Sequence, residues 1–149
     1  MATVTQITGT RTALTSTGLS TLASATYVAS SAKDCAANDP VDVVVEVEVS
    51  TTNTPTGNKQ VVIFVKESLD GANFRAGPES GTTTTDEPNL LHAIVIPVAA
   101  ASTTYRGTFS IRRLLGYVPN SFKIVTKNDL GVALTSGAIY TSEISVVSA

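Results

Sequence analysis

Residues 41–49 read Val-Asp-Val-Val-Val-Glu-Val-Glu-Val, with valine at every odd position and Asp42, Val44, Glu46 and Glu48 at the even ones. A period of two is that of a β-strand, with valines on one face and mostly carboxylates on the other. β-Branched side chains are stiff at χ1 and suit a pleated surface. The next apolar run, residues 60–67, puts Val61, Ile63 and Val65 on one side but Val62 and Phe64 on the other. A strand apolar on both sides is covered on both, within the fold or at a subunit contact. Thr54-Pro55-Thr56-Gly57-Asn58 between the runs has turn chemistry. The two are therefore expected to pair as an antiparallel hairpin at the centre of a β-sandwich.

Working outward, residues 1–22 are rich in Thr, Ser and Gly and read as an extended N-terminal arm, ahead of a single sandwich domain over 23–149. Tyr27 falls in a short strand over 25–29, and residues 30–40 form a polar connector ending in Asn38-Asp39-Pro40. Asp70-Gly71 predicts a tight hairpin turn. Residues 76–89 form a long exposed loop, of a length that is uncommon unless it binds something or is disordered. Further strands are expected at 91–97, 104–112, 122–125, 132–134 and 139–147, with a corner at 114–119. The sum is an all-β chain, an antiparallel β-sandwich of about eight strands. Spacing does not give strand order; a jelly roll is favoured over an immunoglobulin-like sandwich.

The composition suits such a fold. The 149 residues include 38 Ser and Thr, only 15% charged and 5% aromatic residues, and no Trp. With 42% apolar residues the chain has the material for one core without disulfides or metals. A net charge of −2, and no basic cluster larger than Arg112-Arg113, give no electrostatic footprint for nucleic acid. The longest apolar run, residues 93–101, is far short of the ~20 residues of a membrane helix. The first residues lack the pattern of a signal peptide. Neither nucleic acid nor a membrane is expected as a partner.

Few side chains suggest chemistry. His92 is the single histidine and lies in an apolar strand, where a half-buried histidine satisfied by backbone is the expected reading; a metal site needs convergent ligands. Cys35 is the single cysteine and reads as a small apolar residue rather than a nucleophile. Asp42, Glu46 and Glu48 share one strand face, expected to be a solvated face rather than a cation site. No Gly-rich phosphate loop, nucleophile elbow or zinc-protease motif occurs. No catalytic residue, cofactor or metal is expected. Four residues stand out as possible partner contacts: Val62 and Phe64 on the second face of their strand, and the Arg112-Arg113 pair beside a corner.

The order of these features resembles a group of small bacteriophage virion proteins. The likeness rests on the valine-rich acidic strand and on Val61-Val62-Ile63-Phe64-Val65-Lys66-Glu67 running into Ser68-Leu69-Asp70-Gly71-Ala72-Asn73-Phe74. In the second half it rests on Leu115-Gly116-Tyr117-Val118-Pro119, Ser121-Phe122-Lys123-Ile124-Val125 and Asn128-Asp129-Leu130-Gly131-Val132-Ala133-Leu134. The resemblance implies a non-enzymatic structural protein, a capsid decoration (cement) protein. Such a protein binds the major capsid protein on the outside of the phage head as a homotrimer, after synthesis in the host cytoplasm. Neck, tail and head-fibre components share the pattern. The segment around Ser68–Phe74 also resembles a hairpin of discoidin-like sugar-binding domains, so a carbohydrate- or cell-surface-binding module is the alternative.

Overall fold

In the computed structural model, which describes residues 3–148, the chain runs β1 (Val4–Thr8), β2 (Thr12–Leu14), β3 (Tyr27–Ala29), β4 (Lys33–Asp34), β5 (Asp42–Ser50) and β6 (Gln60–Ser68). It continues through β7 (Ser80–Gly81), β8 (Leu91–Pro97), β9 (Tyr105–Ser110), a single helical turn α1 (Ile111–Leu115), β10 (Ser121–Asp129) and β11 (Ser136–Ser148). One sheet has the order β1-β11-β5-β9, with β2 also on β11; the other has β7-β3-β10-β6-β8, with β4 also on β10. Every pairing is antiparallel.

Set aside the accessory strands β1, β4 and β7, and eight strands remain. Their pairings nest: the first with the last (β2·β11), the second with the seventh (β3·β10), the third with the sixth (β5·β9) and the fourth with the fifth (β6·β8). That is one long antiparallel ribbon folded on itself and rolled into two sheets, a jelly roll.

The valine alternation holds: Val43, Val45 and Val47 are fully buried and Val49 nearly so, while the even positions are half exposed. The expected hairpin is wrong, however. β5 pairs with β9 and β11, and β6 pairs with β8 and β10, so the two runs face each other across the core. Residues 51–59 carry the chain from one sheet to the other. Turn chemistry reports that the chain reverses, not that the flanking strands share a sheet.

The boundary at residue 22 also needs correction. β2 is the first strand of the roll, and Leu14, Leu19 and Leu22 lie in the core with Val47, Ile63, Phe122 and Ile139. Only β1, exposed along its whole length, keeps an arm-like character within the described residues. Residues 132–134 are not a strand; β11 starts at Ser136 and runs unbroken through Gly137.

The loops gather at two ends. Those at 51–59 and 130–135 are locked together at one end, where Asn128, buried at the end of β10, donates from Nδ2 to the carbonyls of Leu22 and Val132 at 2.8 and 2.9 Å. Its Oδ1 accepts from the Leu130 N–H at 2.9 Å. Gly131 has φ of +77°, and a Cβ there would sit 2.5 Å from the Gly57 nitrogen, so both backbone conformation and space require glycine. The loops at 30–41, 69–79 and 111–120 occupy the opposite end, together with the β1/β11 extension.

Candidate interaction surfaces

The second face of β6 is not open to a neighbour. Val62 and Phe64 are 7% and 5% exposed, in a small cluster with Tyr27, Val125 and Leu90 outside the second sheet. Leu90 directly follows the long loop over 76–89, whose residues are exposed or half-buried as expected. This loop is a strap. Its residues Ser80–Gly81 form β7 on the edge of β3, and its carboxylates tie it down at two points. Glu79 accepts from Lys66 Nζ at 2.8 Å and from Lys123 Nζ at 3.0 Å, and Lys66 also donates to the Gly77 carbonyl. Glu87 accepts from Lys127 Nζ at 2.7 Å and from the Tyr27 hydroxyl. Burial alone raises the pKa values of Glu79 and Glu87, but the hydrogen bonds from these donors outweigh it and hold both carboxyls below the ordinary value. The chain thus covers the apolar face for which a subunit contact was one of two expected covers. As partner contacts, Val62 and Phe64 would need the strap to lift.

Arg112 and Arg113 are exposed on α1 at the loop end, away from that cluster. Asp42 sets the start of the helix, accepting from the Arg112 N–H at 2.9 Å and from Ser110 Oγ at 2.6 Å. Ser110 Oγ in turn accepts from the Arg113 N–H at 3.0 Å. Arg112 donates from its side chain to the Val41 carbonyl at 3.1 Å, while Arg113 borders a groove floored by Ala93, Ile94, Phe109 and Leu114 between the edge strands β8 and β9. The structure therefore brings Arg112 and Arg113 together with Asp42, not with Val62 and Phe64.

The acidic face of β5 is an ion-pair network. Arg11 reaches Glu46 and Glu48, Arg106 donates to Glu48 at 2.8 Å, and the Arg11 guanidinium carbon lies 3.3 Å from the centroid of Tyr140. The hydrogen bond from Arg106 is the main influence lowering the Glu48 pKa, and the bond to Glu46 raises that of Arg11. Arg106 was legible as an outward residue of β9; Arg11 was not, because residues 1–22 read as an arm. No group of three or more His, Cys, Asp or Glu side chains able to hold a metal ion occurs among the described residues.

His92 is exposed on β8, not half buried, and stands edge-on to Phe64 with centroids 5.8 Å apart and planes at 88°. Cys35 is buried, and desolvation pushes its thiol up to about 11, the setting of an inert packing residue. At Asp70-Gly71 the expected hairpin turn is absent. Gly71 has positive φ but Asp70 does not, and the Asp70 carboxylate organises a wider loop. It accepts from the Asn73 N–H at 2.7 Å, the Ala72 N–H at 2.9 Å, Ser68 Oγ at 2.9 Å and Asn73 Nδ2 at 2.6 Å. The Asn73 backbone bond leads the effects that hold this carboxyl far below the usual carboxylate range.

The exposed apolar side chains are unevenly placed. Of the seven large ones among the described residues, Val4, Ile7, Leu69, Tyr117, Val146 and Val147 all lie at the end that carries Asp70 and α1. The seventh, Val95, is midway along the edge strand β8. The end organised by Asn128 has none of them. No described helix is long and apolar enough to cross a membrane.

Fold and surface together define an all-β jelly-roll chain whose exposed large apolar side chains gather at one end. No family model matches it, and no curated protein does. Among solved structures, "Family 16 Carbohydrate Binding Module-2" is similar over 85% of this chain and 74% of that one, at 13% identity and a TM-score of 0.36. "Cowpea mosaic virus top component" is similar over 100% and 89%, at 10% identity and a TM-score of 0.35. A structure titled "Bacillus endospore appendages form a novel family of disulfide-linked pili" is similar over 97% and 88%, at 12% identity and a TM-score of 0.33. All are distant likenesses, and none bears on what this chain binds.

Proposed function

We propose that this chain is a non-enzymatic structural component of a bacteriophage virion, a decoration protein that sits as a homotrimer on the outside of the head. The observation that carries the reading is the gathering of Val4, Ile7, Leu69, Tyr117, Val146 and Val147 at one end of the jelly roll. Exposed apolar residues scattered singly need no explanation, whereas their gathering at one end of the fold points to that end as the place of interaction. A subunit whose exposed large apolar side chains gather at one end has a built-in orientation on a shell. The sequence resemblance supplies the identity of that shell.

Heads of the parent phage assembled without this gene provide the test. The purified chain is expected to co-sediment with them saturably, and Leu69→Asp with Tyr117→Asp is expected to abolish binding while leaving the fold intact. Absence of co-sedimentation at micromolar concentration would refute the proposal. Binding to a glycan surface instead would favour the sugar-binding alternative, in which the groove beside Asn73, Phe74 and Tyr117 is the place to look.

A further inference from the structure

Beyond Ile144 the chain leaves the body of the jelly roll as a two-stranded ribbon. β1 pairs with the last residues of β11 in the register Val4↔Ser148, Thr5↔Val147, Gln6↔Val146, Ile7↔Ser145 and Thr8↔Ile144. The Gly9 N–H donates to the Glu143 carbonyl at 2.7 Å, which fixes the phase of the ladder. Alternate residues of an antiparallel strand direct their backbone groups to opposite sides. Ile7 and Thr5 therefore bond inward, to Ser145 and Val147, and the N–H and C=O groups of Val4, Gln6 and Thr8 point away from β11.

The other edge of the ribbon is open as well. The Ile144 carbonyl is taken by the Val41 N–H at 2.8 Å, but β5 begins at Asp42 and the chain before it is Pro40, which has no N–H to give. The outward backbone groups of Val146 and Ser148 thus have no strand beside them among the described residues. The ribbon has two open edges and two exposed faces. Val4 and Val146 are 67% and 47% exposed on one face, Ile7 and Val147 48% and 47% on the other. Isolated two-stranded ribbons are marginal in water, and a long uncharged edge invites another strand.

We infer that the β1/β11 ribbons of three copies join edge to edge, the Val4–Thr8 edge of each against the Val146–Ser148 edge of the next, into a closed six-stranded antiparallel barrel. The number three rests on the homotrimer proposed above; the pairing rests on the ribbon. The two edges are unlike, so pairing one with the other is a head-to-tail contact, which a rotation axis closes into a ring. Strand direction agrees, because β1 of one copy beside β11 of the next continues the antiparallel alternation. Charge agrees too: residues 3–8 and 144–148 contain no Asp, Glu, Lys or Arg, so identical ribbons meet without repulsion although each chain carries −2. A strand from a different protein would satisfy one edge and leave the other open, whereas further copies of this chain satisfy both. Closing the ring also buries one apolar face of every ribbon.

Light scattering on the full chain tests the ring. Gln6→Pro removes an outward N–H and none of the bonds within the ribbon, and Val146→Pro does the same on the opposite edge. The wild type is expected at three times the 15.4 kDa chain mass, and each variant at one, with far-ultraviolet dichroism unchanged. If Gln6→Pro fails to fold, Val146→Pro decides. A wild type that is not a trimer overturns the ring. A trimer that persists in the folded variants overturns it too, while leaving the trimeric decoration reading standing. An intact ring that does not bind phage heads sinks that reading and not the ring.

Discussion

Glu79 meets Lys66 at 2.8 Å, joining the strap to a lysine that is only 5% exposed on the outer face of the second sheet. Lys66 keeps its bond to the Gly77 carbonyl at 3.0 Å, so removing the carboxylate weakens the latch without stranding the charge entirely. Hydrogen bonds to charged groups contribute about 1.5–3 kcal/mol, and Glu79 is more than a third exposed, which discounts that figure towards about 1 kcal/mol. Glu79→Gln is expected to lower stability in urea by about that amount. It should also speed hydrogen exchange over 77–90 more than elsewhere. Uniform exchange would show that the strap is not a separate unit.

Acid should act on the same latch. Both Glu79 and Glu87 have folded-state pKa values below the ordinary one, so the stability they supply is present above the unfolded glutamate pKa of about 4.3. It is lost as pH falls through the lower folded values. Exchange protection in the strap should therefore be flat from neutral pH to about 5 and decline below about 4. Protection that falls between pH 7 and 5 would implicate a different group.

Phe64 distinguishes a covered face from a docking face. Packed with Tyr27, Leu90 and Val125, it should cost about 3–5 kcal/mol when cut to alanine, measured on the isolated chain in denaturant. An effect below about 1 kcal/mol would mean that the strap does not cover it in solution.

These two residues show where sequence reading stops. The period-two run at 41–49 gave the strand and its buried face because alternation is a local property. The double burial of Phe64 was legible too, but its cover lies some 25 residues along the chain in a polar loop. Nothing local to Glu79 or Leu90 says that they return to β6. The pairing of β5 failed for the same reason: in a jelly roll the chain changes sheet at 51–59, a non-local fact. Arg11, Leu14, Leu19 and Leu22 were hidden by a Thr-, Ser- and Gly-rich composition that resembles a free arm.

Asn128 holds three loop groups at the end opposite α1, two of the bonds buried and the one to Val132 partly so. Asn128→Ala leaves the Val132 carbonyl and the Leu130 N–H without their partner, while the Leu22 carbonyl keeps the Leu134 N–H at 3.0 Å. At about 1–3 kcal/mol for each unsatisfied group, a loss of about 2 kcal/mol or more is expected by thermal or urea unfolding. A loss under about 1 kcal/mol would mean that water replaces the side chain.

Cys35, buried and raised to about 11, should not react with a thiol reagent at pH 8 in the folded chain and should react at once in denaturant. Rapid native-state labelling would show that the connector over 30–40 opens.

Orientation on the shell is the claim on which the functional reading turns. A difference density map between phage heads with and without this chain measures it directly. The expected result is added density on the outer surface, around a three-fold axis, with Leu69 and Tyr117 towards the shell and the Asn128 end outward. Absence of added density, density elsewhere in the virion, or the reverse orientation would contradict the account.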